Sequence, residues 1–286
     1  MVLNTKHISP LRYPGGKAKL LRYIHQIISE NNLVGGLYVE PFAGGASIAL
    51  GLLLNGIMEK IIINDKDRAI YAFWYSILHK TEEFCSLIKE TPITIETWER
   101  QKNIQKNEPD ADLLTLGFST FFLNRTNRSG ILNAGVIGGR HQTGQYKIDA
   151  RFNKLELISR IRAISDKRDN IDVLNEDAVD LLTSHDWSSH NEKVFIYLDP
   201  PYYTKGRNLY LNYYREDDHK EIADILSKSV GFKWVVSYDS VNFIKSLYQQ
   251  YRCAHFQLNY SANNSGKGDE IMFYSNDLII PKSSII

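Results

Sequence analysis

Residues 36–56 read GLYVEPFAGGASIALGLLLNG, and the fold follows from how this segment divides. Leu37 to Val39 is a short apolar run of strand length. Glu40 to Gly45 is a glycine-rich turn. Ala46 to Leu54 is an apolar run of helical length, which Asn55-Gly56 ends. Toward the C-terminus, KIIINDKDRAIYAFWYSIL (residues 60–78) gives a second buried strand, Ile61 to Ile63, then an acid at its end, Asp65, then a helix. Toward the N-terminus, RYPGGKAKLLRYIHQIISE (residues 12–30) reads as a loop and then a helix, with apolar residues at helical spacing from Leu20 to Ile28. Strand, glycine turn, helix and a strand with a terminal acid form the opening of a Rossmann-like α/β sheet.

From about Tyr71 to Ser165 the alternation gives way to helical periodicity, a polar linker (KNEPDAD) and a glycine-rich loop, GILNAGVIGGRHQTGQ. Strand signals return in NIDVLNEDAVDLL, VFIYLDPPYY and FKWVVSYDS. A final pair, AHFQLNYSANN and EIMFYS, is expected to form a hairpin. The expected architecture is one α/β domain built from residues 1–70 and 166–286, with a mainly helical module, residues 71–165, inserted into it.

Length and composition are those of a soluble globular chain: 286 residues, 43% hydrophobic, 23% charged, net charge +1. Cys85 and Cys253 stand outside any CxxC or histidine cluster, which argues against structural zinc and suits a reducing, cytoplasmic setting. No signal layout and no membrane-length apolar run is present, so no membrane partner is expected. Charge is uneven, however. Between Arg125 and Arg168 ten Lys and Arg stand against three acids, a surface suited to phosphates or, equally, a solvated helix face.

Gly44 and Gly45 let the backbone pass close to a ligand, and the helix that follows offers unpaired N–H groups. The turn is not GxGxxG, and Gly16-Lys17 lacks the surroundings of a Walker A loop, with Leu11 and Ala18 at the flanking positions. Asp65 stands where such an acid accepts hydrogen bonds from ribose hydroxyls, so the pair favours an adenosine-containing ligand. VFIYL reads as a fully buried strand, so Asp199 emerges at the carboxyl edge of the sheet, where ligands bind in open α/β folds. Pro200 and Pro201 cannot donate to a ladder; they stiffen the turn and leave carbonyls free. Tyr202 adds a flat face. A carboxylate, a carbonyl acceptor and an aromatic ring together suit a planar group that bears an exocyclic amine.

DPPY after a strand, EPFAGG before a helix and RYPGGK near the N-terminus together resemble the Dam-type (D12 class) DNA adenine-N6 methyltransferases. The likeness extends through FFLNRTNRSGI, RFNKLELISRI, WVVSYDS and GKGDEIMFYS. It implies a catalytic domain in two parts, a target-recognition domain between them, and S-adenosyl-L-methionine as donor with S-adenosyl-L-homocysteine as product and no metal. Carried over residue by residue, Tyr13 and Lys17 line the cofactor site. Glu40, Pro41, Phe42, Ala43, Gly44 and Gly45 cradle the methionine part, Asp65 takes the ribose and Asp177 the adenine amine. Asp199, Pro200, Pro201 and Tyr202 hold the target base beside the donor. Pro14 and the adjacent glycines of FAGGAS depart from some relatives without touching these roles.

The resemblance further implies double-stranded DNA as the partner, with the target adenine turned out of the helix. Its N6 would donate to Asp199 and to the Pro200 carbonyl while its ring stacks on Tyr202. Arg12 matches a basic position near DNA. Arg125, Asn127, Arg128 and Asn133 of NRTNRSGILN are the candidate base readers, because Arg pairs with guanine and Asn with adenine; the alternative is a loop that only packs the insert. A cognate restriction endonuclease acting on the same site is a candidate partner. The competing functions are methylation of another amine (RNA adenine N6, cytosine N4 or a protein amide) and a catalytically inactive nucleic-acid-binding homologue. Asp before the two prolines and the large insert favour adenine in DNA, and the intact Asp199, Tyr202 and glycine turn favour activity.

Overall fold

The computed structural model describes residues 8–12, 17–187, 193–204, 214–229, 232–259 and 267–285. It divides into two compact units, one built from Lys17–Lys66 and Asn170–Ile286, the other from Lys6–Gly16 and Asp67–Asp169.

The first unit holds a seven-stranded sheet. Its strands are β1 (Leu37–Glu40), β2 (Lys60–Asn64), β3 (Ile171–Leu174), β4 (Val194–Leu198), β5 (Lys233–Asp239), β6 (Arg252–Asn259) and β7 (Lys267–Tyr274). Their order is β3-β2-β1-β4-β5-β7-β6. The first five run parallel, and β6 and β7 form the antiparallel hairpin, with β7 placed between β5 and β6. This is the Rossmann-like α/β fold expected from the sequence. β1 and β4 are buried at every position, as the near-continuous apolar runs of a parallel sheet covered on both faces require.

Strand order reverses between β1 and β4, which pair in parallel with Leu37 opposite Val194 and Val39 opposite Ile196. In open α/β sheets the loops diverge at such a reversal and leave a crevice at the carboxyl ends of the strands. The turn after β1 is EPFAGG and the turn after β4 is DPPY. Topology alone therefore sets the two motifs side by side.

The second unit is mainly helical. Helix Leu113–Thr126 lies against helix Arg68–His79, and helices Thr81–Glu90, Ile95–Lys106 and Lys154–Ser165 complete it. Phe73, Phe84, Phe121 and Phe152 interlock in its centre, with Phe73 and Phe121 stacked at 5.9 Å between ring centroids. Residues 8–12 belong here too, whereas the sequence reading assigned all of 1–70 to the α/β domain. The reason is a contact across 112 residues: the buried Asn124 side chain accepts the Arg12 N–H at 2.7 Å and donates to the Arg12 carbonyl at 2.8 Å. No local pattern encodes such a pairing. Among the described residues no helix is long and apolar enough to cross a membrane.

Gly117 lies where helix Leu113–Thr126 passes close to helix Arg68–His79. A Cβ at this position would sit 2.4 Å from the Ala72 carbonyl oxygen, which is backbone and cannot turn aside. Gly117→Ala would gain up to about 1 kcal/mol of helix propensity, but overpacking costs about 1–3 kcal/mol. A net loss of stability in urea unfolding is the expected result, and a gain would show that the two helices can move apart freely.

Candidate active site

At the end of β4 the Asp199 carboxylate is held on both oxygens. Oδ1 accepts from Ser237 Oγ at 2.9 Å, and Oδ2 lies 3.0 Å from Lys17 Nζ. Ser237 has one hydroxyl proton, which goes to the carboxylate, so Tyr197 OH at 2.8 Å is the donor to Ser237. Burial first, and then the nearby Asp199 charge, push the Tyr197 phenol well above its ordinary pKa, so it keeps the proton it donates.

Lys17 is the hub of this corner. Its ammonium, only 6% exposed, donates to Tyr202 OH at 2.7 Å and lies 3.7 Å from the Glu270 carboxylate on β7. It also stands 4.9 Å from the centre of the Tyr202 ring. One cation therefore joins two carboxylates and a phenol. Burial and the charges of Asp199 and Glu270 hold the Tyr202 phenol neutral. Pro200 is buried, while Pro201 and Tyr202 are partly exposed.

The turn after β1 is shaped by left-handed backbone at Gly44 (φ 45°) and at Ala46 (φ 46°), just before helix Ser47–Leu54. Glu40 points into the core, where its Oε1 accepts from Tyr38 OH at 2.9 Å and from the Ala49 N–H at 3.1 Å. Burial outweighs these hydrogen bonds and raises the Glu40 pKa to about 8, with the Asp199 charge acting in the same direction. Glu40 is therefore protonated at neutral pH. Pro41 offers its carbonyl to Asn64 Nδ2 at 2.9 Å, and Asn64 also donates to the Glu176 carbonyl and accepts the Glu176 N–H. Asn64 thus ties the turn after β1 to the loop after β3. The Ala43 N–H donates to the Asn64 carbonyl at 2.9 Å.

Asp65 accepts the Gly44 N–H at 2.9 Å and so shapes the glycine turn. Asp177 caps helix Ala178–Ser184 through the Val179 N–H and pairs with Lys66 at 2.7 Å. Burial pushes its carboxyl up, but these two bonds prevail and its pKa lies below the ordinary value. Lys66, Asp177, Asp180, Tyr214, Asp218 and Glu221 line a cavity of about 350 Å³. Phe42 meets the Tyr214 ring edge-on at 5.6 Å. Tyr13 lies outside the described residues.

Glu40 makes folding pH-dependent. Its pKa is higher in the folded chain than its ordinary value of 4.5. The unfolded state loses this proton first, so the stabilisation is fully present below pH 4.5 and is lost as pH rises toward 8. Glu40→Gln keeps an acceptor for Tyr38 and Ala49 and is expected to flatten this slope in thermal unfolding between pH 5 and 8. An unchanged slope would mean that Glu40 is ionised in the folded chain.

In the helical unit the candidate readers differ in exposure. Arg128 and Asn133 are exposed. Arg125 is partly buried: its guanidinium donates to the Arg151 carbonyl at 2.7 Å and the Pro10 carbonyl at 3.4 Å. Its pKa is lowered to about 9 by burial and then by Arg12 and Arg160. Arg12 donates to the Asn127 carbonyl at 3.3 Å. Asn127 stands apart from the other candidate readers in its burial. It is fully buried, accepts from Trp98 Nε1 at 2.6 Å and donates to the carbonyls of Ile131 and Leu132 at 3.0 and 2.8 Å. Its amide organises the loop from inside. A polar residue in a polar loop gives no sequence signal of such burial.

Sequence reasoning did not find Ser237, Tyr197, Glu270 or Asn64 as parts of the site. The one available signal was polarity inside a strand: SYD closes the apolar run of β5, and DE opens that of β7.

Comparison with known proteins gives a match over residues 13–262 to the family described as D12 class N6 adenine-specific DNA methyltransferase. Among curated proteins, the chain is 24% identical over 260 residues to the type II methyltransferase M.MjaIII of Methanocaldococcus jannaschii, covering 84% of this chain and 87% of that protein. It is 28% identical over 206 residues to the modification methylase StsI of Streptococcus sanguinis, covering 68% of this chain and 28% of that protein.

Proposed function

Because the chain belongs to the D12 class of N6 adenine-specific DNA methyltransferases, we propose that the corner at the end of β4 methylates N6 of an adenine turned out of duplex DNA. The methyl donor is S-adenosyl-L-methionine and the product S-adenosyl-L-homocysteine. The observation that carries this reading is the Asp199 carboxylate, held on both oxygens at the point where strand order reverses.

The donor, when bound, supplies a methyl group on a positively charged sulfur. The residues on its side of the crevice suit it. The cavity beside Asp177 and Tyr214 offers carboxylate acceptors for amine and hydroxyl donors, with an aromatic wall. The tight turn from Glu40 to Gly45, with Pro41, Phe42 and Ala43, brings backbone close to the donor's amino-acid end, and Asp65, beside Gly44, is assigned to the ribose.

Adenine N6 is a poor nucleophile because its lone pair is delocalised into the ring. A carboxylate oxygen has two lone-pair positions, so Asp199 can accept an N6–H while keeping its present partners. The Pro200 carbonyl takes the second N6–H, and Tyr202 stacks under the ring. Both acceptors favour a more available lone pair on N6 and stabilise the positive charge that grows there during transfer. Once methylated, that nitrogen is strongly acidic and releases its extra proton without a dedicated base. Unstacking the base costs a few kcal/mol, of which stacking returns about 1–3 kcal/mol.

On the DNA side we assign Arg128 and Asn133 as contacting residues, with Arg12 and Arg125 in support. Arg128→Ala should weaken DNA binding and lower the slope of log affinity against log salt by about 1 if it meets a phosphate, or relax sequence choice if it meets a guanine. Unchanged affinity, salt slope and site choice would remove this loop from the interface. The names of the two relatives, a type II methyltransferase and a modification methylase, support a role beside a restriction endonuclease acting on the same site. Sequencing N6-methyladenine in DNA from cells that express the protein tests the whole reading. Methylated adenine at one recurring sequence is expected, and none with the wild-type chain would overturn it.

A further inference from the structure

We propose that strand β5 is the rail on which the base-binding corner is mounted, with Ser237 and Asp239 as its two positioning residues; this rests on the reading of Asp199 given above. The strands pair with Leu198 opposite Val236, so Ser237 stands beside Asp199. Ser237 and Asp239 are two residues apart on one strand and therefore share a face of the sheet. Each holds a different part of the corner. Ser237 donates to Asp199 Oδ1 at 2.9 Å and is itself fixed by Tyr197 at 2.8 Å. Asp239 accepts two successive backbone N–H groups, Tyr203 at 3.0 Å on Oδ1 and Thr204 at 2.9 Å on Oδ2. Ser237 is fully buried and Asp239 is 7% exposed.

The division of labour follows from chemistry. Asp199 could rotate about its side-chain torsions, and a hydroxyl on one oxygen selects a single orientation. Pro200 and Pro201 have no N–H groups with which to anchor their own loop. The first two N–H groups after Tyr202 supply the missing anchor, and one carboxylate takes both. Tyr202 is thereby fixed from two sides, by Pro201 before it and by the Asp239 clamp after it.

The test uses the full chain and the duplex that the wild type methylates, in single-turnover transfer, with S-adenosyl-L-homocysteine binding measured by calorimetry. Ser237→Ala should slow transfer by about 10–100-fold with the KM for DNA and product affinity within about twofold, because a misaimed group costs rate rather than binding. Tyr197→Phe, one link further out, should cost less than Ser237→Ala. Asp239→Asn should slow transfer and also raise the KM for DNA. It should speed hydrogen exchange at the Tyr203 and Thr204 amides while exchange elsewhere in the sheet stays slow. Transfer within twofold of wild type in both Ser237→Ala and Asp239→Asn, with unchanged exchange at 203–204, would overturn the proposal. So would a slowing matched by equal losses of product binding and thermal stability. A wild type that binds S-adenosyl-L-homocysteine but methylates no duplex would instead overturn the reading of the site, and the exchange data would still decide the anchoring.

Discussion

Asp199→Asn is expected to leave product and DNA binding intact and to lower methyl transfer by about three orders of magnitude or more. The side chain keeps its size and one oxygen for Ser237, and Lys17 keeps Glu270 as a carboxylate partner, so the corner stays assembled at some cost in stability from the lost Lys17–Asp199 pair. What is lost is a negative charge at the position where positive charge grows on the adenine nitrogen. Removing one preorganised group aimed at developing charge costs about 10²–10³-fold in rate. Here the amide also turns a donor toward an amine that has hydrogens to give, which adds repulsion to the loss. Rapid-quench transfer on a duplex substrate, with binding followed separately, measures both halves. A rate near that of wild type would remove Asp199 from the chemistry.

Lys17→Met carries the second large effect, and it acts on stability as well as rate. Lys17 is the cation shared by Asp199 and Glu270, and Glu270 is 1% exposed. Taking one partner from a buried ion pair costs about 3–5 kcal/mol, because the opposite charge remains in a low-dielectric site. The upper part of that range applies only to fully buried pairs, and Asp199 is 24% exposed, so about 3 kcal/mol is the expectation. The loss should shrink at lower pH, where a carboxylate can take up a proton in place of the missing ammonium. Adding Glu270→Gln should restore much of it. Urea unfolding of the single and double variants at pH 7.5 and 5.5 reads all three effects. Equal losses in single and double variants would show that Lys17 does not offset Glu270.

The difference between what the chain announced and what it concealed follows the range of the interactions. Leu37 to Val39 and Ile61 to Ile63 read as strands because burial on both faces writes itself as adjacent apolar residues; each strand then runs into the following polar residue, Glu40 and Asn64. The position of DPPY at the end of VFIYL was legible for the same local reason. The partners of Asp199 were not. Lys17 lies 182 residues before it and Ser237 lies 38 after it; strand order brings Ser237 alongside on β5, and the folding of the N-terminal segment before helix Leu21–Glu30 brings Lys17. Asn127 shows the opposite direction: its residue type suggests a DNA reader, while its side-chain amide is bonded to Trp98, Ile131 and Leu132 inside the loop. The anchoring of residues 8–12 to Asn124 belongs with it, a long-range contact that no periodicity marks.

The position of β7 has a consequence for how this molecule is made. On the ribosome, residues emerge in order at about 5–20 per second, and β7, which carries Glu270, emerges after the other six strands of the sheet. Until it inserts between β5 and β6, the growing protein exposes the open edge of β5, an edge prone to pairing with other chains. Nascent protein is thus an unfinished catalyst and an aggregation hazard until the closing hairpin docks, which makes the interval between the emergence of β5 and that of β7 the one in which a chaperone has most to contribute.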